Sequence, residues 1–351
     1  VVTRRVRLDR IASATRNAHL EREVLVGSDV VCREGYVLAV RIRGSKATYN
    51  QVEDLAGRMV PLRDGDVLAG VLGSRRALRG YAGVVPDALS AGDTVHVLNL
   101  GGVLGRCTSV NPEFGAPFEA EVLGSVLTFP PGGDRVGRPA EIHTGSIPPS
   151  DRLNLRAPVV YVAGTCMDSG KTVASTEIVR GLGRSGLRVA AAKLTGVSLR
   201  RDTLSMCDAG AVEGLSFNDA GVVSTREDES ARVAKGLFNR LDRADPEVVV
   251  AELGDGILGE YGVQTILADG ELTGAAAALV LCAPDPVAAW GAVRLLEERW
   301  GLRPAVVAGP VTDNDVGCRF VRDHLGLPAH NARRDAAALV ERVLERVHAR
   351  A

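Results

Sequence analysis

The chain has 351 residues, 46% of them hydrophobic, enough to bury a full core and by length to hold two domains. Its 42 basic and 43 acidic residues leave a formal net charge of −1, which disfavours a general binder of nucleic acid or of an anionic membrane and leaves small molecules or proteins as expected partners. No apolar run reaches the length of a membrane span and Val1-Val2-Thr3-Arg4-Arg5 does not lead into a signal-peptide core, so the expected location is the cytoplasm.

Between Val24 and Leu127, short apolar stretches alternate with turns: Glu34-Gly35 before Tyr36–Val40, Asp64-Gly65-Asp66 before Val67–Leu72, and Ala91-Gly92-Asp93 before Thr94–Leu100. This rhythm predicts strands. The second and third units share Gly-Asp followed by a β-rich run ending in Leu-Gly, which hints at a duplicated unit in a small barrel. Residues 1–150 are therefore read as a smaller β-rich, barrel-like domain for recognising a substrate or partner. Prolines and glycines crowd 129–158, including Pro130, Pro131, Gly132 and Gly133, and predict a connector there.

Residues 151–351 read as an α/β nucleotide-binding domain with a mostly parallel, doubly wound sheet. The runs Val159–Ala163, Val189–Ala192, Val248–Ala251, Ala278–Ala283 and Ala305–Ala308 are apolar throughout, as strands buried on both faces must be. Helical segments separate them. Lys171–Leu182 is one, and the apolar spacing from Ala336 to Val347 predicts a last helix over the sheet.

The first of these strands leads directly into Gly164-Thr165-Cys166-Met167-Asp168-Ser169-Gly170-Lys171-Thr172 and then a helical pattern, the strand–loop–helix context of a phosphate loop (Walker A). Glycines let the loop wrap so that backbone N–H groups and the helix N-terminus face phosphate oxygens. Lys171 is expected to reach the β- and γ-phosphates and Thr172 to ligate Mg²⁺. Asp168 reads as a turn former.

Only four basic residues are lysine: Lys46, Lys171, Lys193 and Lys235. Lys193 closes the second predicted strand, facing the crevice where an open sheet places its ligand, and is a candidate for neutralising the transferring phosphoryl group. Glu252 closes the third and is the expected acidic metal partner, with Asp255 in Leu253-Gly254-Asp255-Gly256 a candidate contact and the two glycines allowing close approach. Asp202, Asp208 and Asp219 compete to complete the metal shell or orient the nucleophile; Asp208 is carried forward for both roles and Asp219 for the second. Arg200 and Arg201 are candidate clamps for an anionic substrate. In Gly309-Pro310-Val311-Thr312-Asp313-Asn314-Asp315, Asn314 is the expected reader of the nucleobase. The six cysteines form no Cys-x-x-Cys pair, so reduced thiols are expected.

The Gly164-Thr165 loop start, Lys193-Leu194-Thr195-Gly196 and Glu252-Leu253-Gly254-Asp255-Gly256 together resemble the dethiobiotin synthetase group of P-loop proteins, whose wider class includes cobyrinic acid amide synthases and the molybdopterin-guanine dinucleotide adaptor. The resemblance covers about Pro158–Arg333 and implies a phosphate-loop lysine at Lys171, a metal-binding hydroxyl at Thr172, a catalytic lysine at Lys193 and an acidic magnesium ligand at Glu252. Cys166, Leu194 and Leu253 depart from that family's aspartate, proline and glycine at positions that handle substrate, so biotin chemistry does not follow. The expectation is an ATP- or GTP-dependent enzyme of kinase or ligase type acting in small-molecule biosynthesis on a small-molecule substrate, an anionic one being a candidate, with a homo-oligomer, a dimer first, as its state. The alternative is an NTPase switch or adaptor coupled to a partner protein.

Overall fold

The computed structural model describes residues 3–129 and 137–350. Two compact units emerge. The first runs through Ser146 and takes in Val197–Arg200 and Asn218–Ser224; the second comprises Ile147–Gly196, Arg201–Phe217 and Thr225 onward. Pro130, Pro131, Gly132 and Gly133 of the expected connector lie outside the described residues.

In the first unit β1 (Val37–Arg43), β2 (Val67–Leu72), β3 (Thr94–Val97), β4 (Val103–Val110) and β5 (Glu119–Thr128) carry the architecture. β1 pairs antiparallel with β2, β2 parallel with β4, β4 antiparallel with β3, β3 antiparallel with β5, and β5 antiparallel with β1. The ladder thus returns to its start as a closed barrel, which leaves these strands no open edge. Side chains alternate as the pleat demands: Leu38, Val40 and Ile42 of β1 share one core with Leu68 and Leu72, while Val37 and Ala39 join Ala69 and Val71 in another.

The two Gly-Asp turns are built alike. Asp66 and Asp93 each accept from the backbone three residues back, Arg63 N at 3.0 Å and Ser90 N at 2.7 Å. Gly65 N donates to Ile42 O at 2.9 Å and Gly92 N to Val122 O at 2.8 Å, and the N–H groups of Ile42 and Val122 return bonds to Asp66 O and Asp93 O. Both glycines are left-handed, φ +87° and +98°, with open space where a Cβ would go. Gly65→Ala and Gly92→Ala should therefore each cost about 1 kcal/mol of stability through backbone strain alone, by equal amounts at the two turns. Urea unfolding of each variant checks this, and a neutral result at either turn would break the equivalence.

The second unit is an α/β fold around a six-stranded parallel sheet. In chain order it contains β6 (Val159–Gly164), α1 (Lys171–Arg184), β7 (Val189–Lys193), α2 (Arg201–Asp208), β8 (Gly214–Ser216), α3 (Ser230–Leu241), β9 (Val248–Glu252), β10 (Ala276–Cys282), α4 (Pro286–Trp300), β11 (Val306–Ala308), α5 (Asp315–Leu325) and α6 (Ala336–His348). The strand order is β8-β7-β9-β6-β10-β11. Successive residues of β6 face opposite layers: Val160 and Val162 pack with Ile178, Leu182, Leu339 and Val343 of α1 and α6, whereas Tyr161 meets Phe238 of α3 edge-on. Both faces are covered, which is why these strands read as unbroken apolar runs. No helix among the described residues is long and apolar enough to cross a membrane.

Candidate functional site

β6 is the pivot of the site. It lies between β9 and β10 with every residue buried, so the backbone leaving it at Gly164 emerges at the middle of the sheet's carboxyl edge, where the strand order switches direction. Thr165 N donates to Cys282 O at 3.1 Å and Ile257 N to Gly164 O at 2.9 Å, which pins the start of the loop from both sides. The loop then closes tightly. A Cβ on Gly164 would lie 2.3 Å from Ser169 Oγ, and Gly170 turns the chain into α1 at φ +92°. Asp168 is exposed at φ +59°, as a turn former would be.

Lys171 opens α1 and is buried. Its ammonium donates to Cys166 O at 2.7 Å and to Ser169 Oγ at 3.4 Å, arching over its own loop. Burial holds its pKa below the ordinary lysine value, and the Glu252 carboxylate opposes that shift.

Behind the loop, four elements deliver one cluster. Thr172 Oγ1 lies 3.3 Å from Asp202 Oδ1 and 3.4 Å from Glu252 Oε1. Lys193 Nζ is bonded to Asp202 Oδ2 and, at 3.1 Å, to Glu252 Oε1. Asp202 sits in the first turn of α2, while Lys193 and Glu252 end the paired strands β7 and β9 and face each other in register. Burial alone would lower the Lys193 pKa, but the two carboxylates outweigh it and hold the ammonium above its ordinary range. Burial would raise Asp202, yet Lys193 and then Arg201 keep it below the usual carboxylate range. Glu252 is 1% exposed, and its Oε2 has no hydrogen-bond partner among the described residues.

Gly254 and Gly256 are required by close backbone packing, since a Cβ on the first would lie 2.1 Å from Thr195 O and on the second 2.5 Å from Thr165 O. They let the segment after β9 press against the backbone after β7 and against the phosphate loop. Asp255, between them, is buried and held at φ +66°.

Three sequence candidates lie elsewhere. Asp208 is exposed at the far end of α2, six residues and about 9 Å along the axis from Asp202, so Asp202 takes its place in the cluster. Asp219 belongs to the first unit and is ion-paired there with Arg16. Arg200 is also of the first unit, where its N–H donates to Glu53 Oε2 at 2.7 Å and its guanidinium to Leu55 O. Asn314 is the N-cap of α5, accepting from Val316 N and Gly317 N. Beside it, Asn331 Nδ2 donates to Asp313 Oδ1 at 2.8 Å, and buried Asn331 is itself fixed by accepting from Arg333 N and Arg334 N. This segment abuts the phosphate loop, because a Cβ on Gly309 would lie 2.3 Å from Ser169 O.

No family model matches the sequence, and no curated protein matches it. Among solved structures, the chain is similar to a DUF1611 family protein from Anabaena variabilis, at 17% identity over 55% of this chain and 58% of that one, with a TM-score of 0.40. It is similar to HypB from Helicobacter pylori in complex with nickel, at 10% identity over 55% of this chain and 88% of that one, with a TM-score of 0.37. It is also similar to the cell division protein FtsY from Thermotoga maritima, at 14% identity over 55% of this chain and 71% of that one, with a TM-score of 0.37. The chain thus spans little more than half the length of the first of these.

Proposed function

We propose that the second unit binds a magnesium–nucleoside triphosphate at Gly164–Thr172 and hydrolyses it, acting as a nucleotide-driven switch. The observation that carries this proposal is the convergence of Thr172, Asp202 and Glu252 behind a strand–loop–helix phosphate cradle. A hydroxyl and two carboxylates are the hard oxygen donors that magnesium takes, and the buried Glu252 Oε2 is an acceptor that the described protein groups leave open. These three residues would hold the ion, which when bound neutralises charge on the β- and γ-phosphate oxygens.

The chain's own groups supply the rest. Loop N–H groups and the N-terminus of α1 hold phosphate oxygens. Lys171 exchanges its carbonyl partner for phosphate, and Lys193 offers a second positive charge at the same edge. Asp255 is assigned to orient the attacking water. Asp313 is assigned to the base: its two carboxylate oxygens match the adjacent N1–H and amino donors of guanine, whereas adenine presents an acceptor beside its amino group. GTP is therefore the expected nucleotide.

A switch is favoured over a kinase or ligase because Lys193 and Asp202 stand at the two ends of a short stretch whose middle, Val197–Arg200, is part of the first unit. The chain therefore passes from Lys193 through the first unit before it returns to Asp202, and the barrel is proposed to recognise a partner. The resemblance to the dethiobiotin synthetase group supports the second possibility, phosphoryl transfer to a small molecule through Lys193.

One set of measurements separates these. Calorimetry on the full chain should give Mg-GTPγS about 100-fold tighter than Mg-ATPγS, with Asp313→Ala erasing most of the difference. Equal affinities would remove guanine from the assignment, and no association with either would remove the nucleotide. GDP release from Mg-GTP should be slow and indifferent to a metabolite pool. A large acceleration by one metabolite would instead establish phosphoryl transfer.

A further inference from the structure

Lys193 is bonded to the same two carboxylates that a metal would need. Its ammonium contacts Asp202 and, at 3.1 Å, Glu252 Oε1, and that same Glu252 oxygen is 3.4 Å from the Thr172 hydroxyl. A divalent cation beside Thr172 must share those carboxylates with a fixed positive charge, or displace it.

We infer that Lys193 is the resident counter-cation of the carboxylate pair, and that the site admits a divalent cation only together with the phosphates of a nucleotide. This rests on the nucleotide reading of the same site. The charges support it. Asp202 and Glu252 carry two negative charges, Lys193 returns one, and the Lys171 ammonium, close enough to feel Glu252, returns the other. A metal ion arriving alone meets two ammonium groups in a buried, weakly screened setting and no net attraction. Arriving with a polyphosphate, it brings its own anions, and these give both ammonium groups somewhere else to bond.

The residue type fits the task. This chain uses lysine at only four basic positions, and a compact ammonium on a four-carbon stem can pivot between carboxylate and phosphate, where a planar guanidinium would be locked by its paired geometry. Room for the stem is built in: a Cβ on Gly254 would lie 3.0 Å from Lys193 Cε. Stability alone is a poor explanation for the cluster, because a buried ion pair roughly breaks even against apolar packing.

Mn²⁺ serves as the probe, with the unbound ion counted by electron paramagnetic resonance on the full chain. The wild type should retain no Mn²⁺ without nucleotide and one ion per chain once GDP is added. Lys193→Met should bind Mn²⁺ without nucleotide at least ~10-fold more tightly than the wild type, and Lys193→Arg should show no such gain. Wild-type Mn²⁺ uptake that is equal with and without GDP overturns the inference even if the Met variant fails to fold, and it leaves the magnesium–nucleotide assignment standing. A folded Lys193→Met no better than wild type also overturns it. Absence of Mn²⁺ in every arm, with GDP binding still detected by calorimetry, overturns the metal assignment itself and this inference with it.

Discussion

Lys171→Ala is expected to weaken Mg-nucleotide binding by about 100-fold or more and to reduce hydrolysis at least as far, while leaving the fold in place. The asymmetry follows from where the ammonium bonds. Among the described residues it donates to Cys166 O and Ser169 Oγ, both in its own loop, so its loss frees one carbonyl and one hydroxyl, while Glu252 keeps its direct bond to Lys193. That should cost about 1 kcal/mol of stability. At the phosphates the same group is a buried positive charge in a poorly screened pocket, where one cation against several anionic oxygens is worth several times as much. Lys171→Arg is not expected to rescue, because the guanidinium is too broad for a loop in which even a Cβ on Gly164 would strike Ser169 Oγ. Calorimetry and single-turnover hydrolysis, read beside thermal unfolding, check both halves. Full nucleotide affinity in a folded Lys171→Ala protein would mean that Gly164–Thr172 is not a phosphate cradle.

Much of this arrangement is legible in the residues, and what is not has physical causes. Strands buried on both faces announce themselves as apolar runs, so β6, β7, β9, β10 and β11 could be placed from sequence. β8 could not, because it is a three-residue edge strand of Gly214, Leu215 and Ser216 with no apolar run. The Gly-Asp repeats of the barrel were visible as a pattern, but only the matched hydrogen bonds around Asp66 and Asp93 show that both turns do the same work.

The choice among carboxylates was closed to sequence, since Asp202 and Asp208 lie on one short helix and only its direction decides which end meets Thr172. Asn314 is different, because a usable signal was present. An asparagine just before the helical pattern Asp315-Val316-Gly317-Cys318 is an N-cap signature, which commits its side-chain oxygen to the backbone. Scarcity of lysine was an uneven guide. Lys171 and Lys193 are in the site, but Lys46 ties a barrel loop through Tyr81 Oη and Phe114 O, and Lys235 clamps Asp269 and Glu271 at 2.7 Å each.

Glu252→Gln should separate metal use from nucleotide binding. The amide keeps the shape of the carboxylate, so Thr172 and Lys193 retain a hydrogen-bonding neighbour, and Asp202 still balances the Lys193 charge. Counted with Lys171, the buried cluster moves from no net charge to one net positive charge, but Lys193 keeps its Asp202 partner, so loss of stability should stay near ~1 kcal/mol rather than the several expected when a buried charge loses its only partner. The effect on turnover should be large. An amide oxygen is a weaker ligand than a carboxylate for a hard divalent ion, and Glu252 is the innermost donor of the three, so hydrolysis should fall by roughly 100- to 1,000-fold. Nucleotide affinity measured in EDTA should change little, because the loop N–H groups and Lys171 are untouched, and raising Mg²⁺ should recover part of the lost rate. A variant with wild-type Mg²⁺ dependence would remove Glu252 from the metal shell and leave it as the structural counter-ion of Lys193. In that event Lys193→Met combined with Glu252→Gln should be more stable than Lys193→Met alone, since the paired substitution removes a carboxylate that the single one leaves stranded in the core.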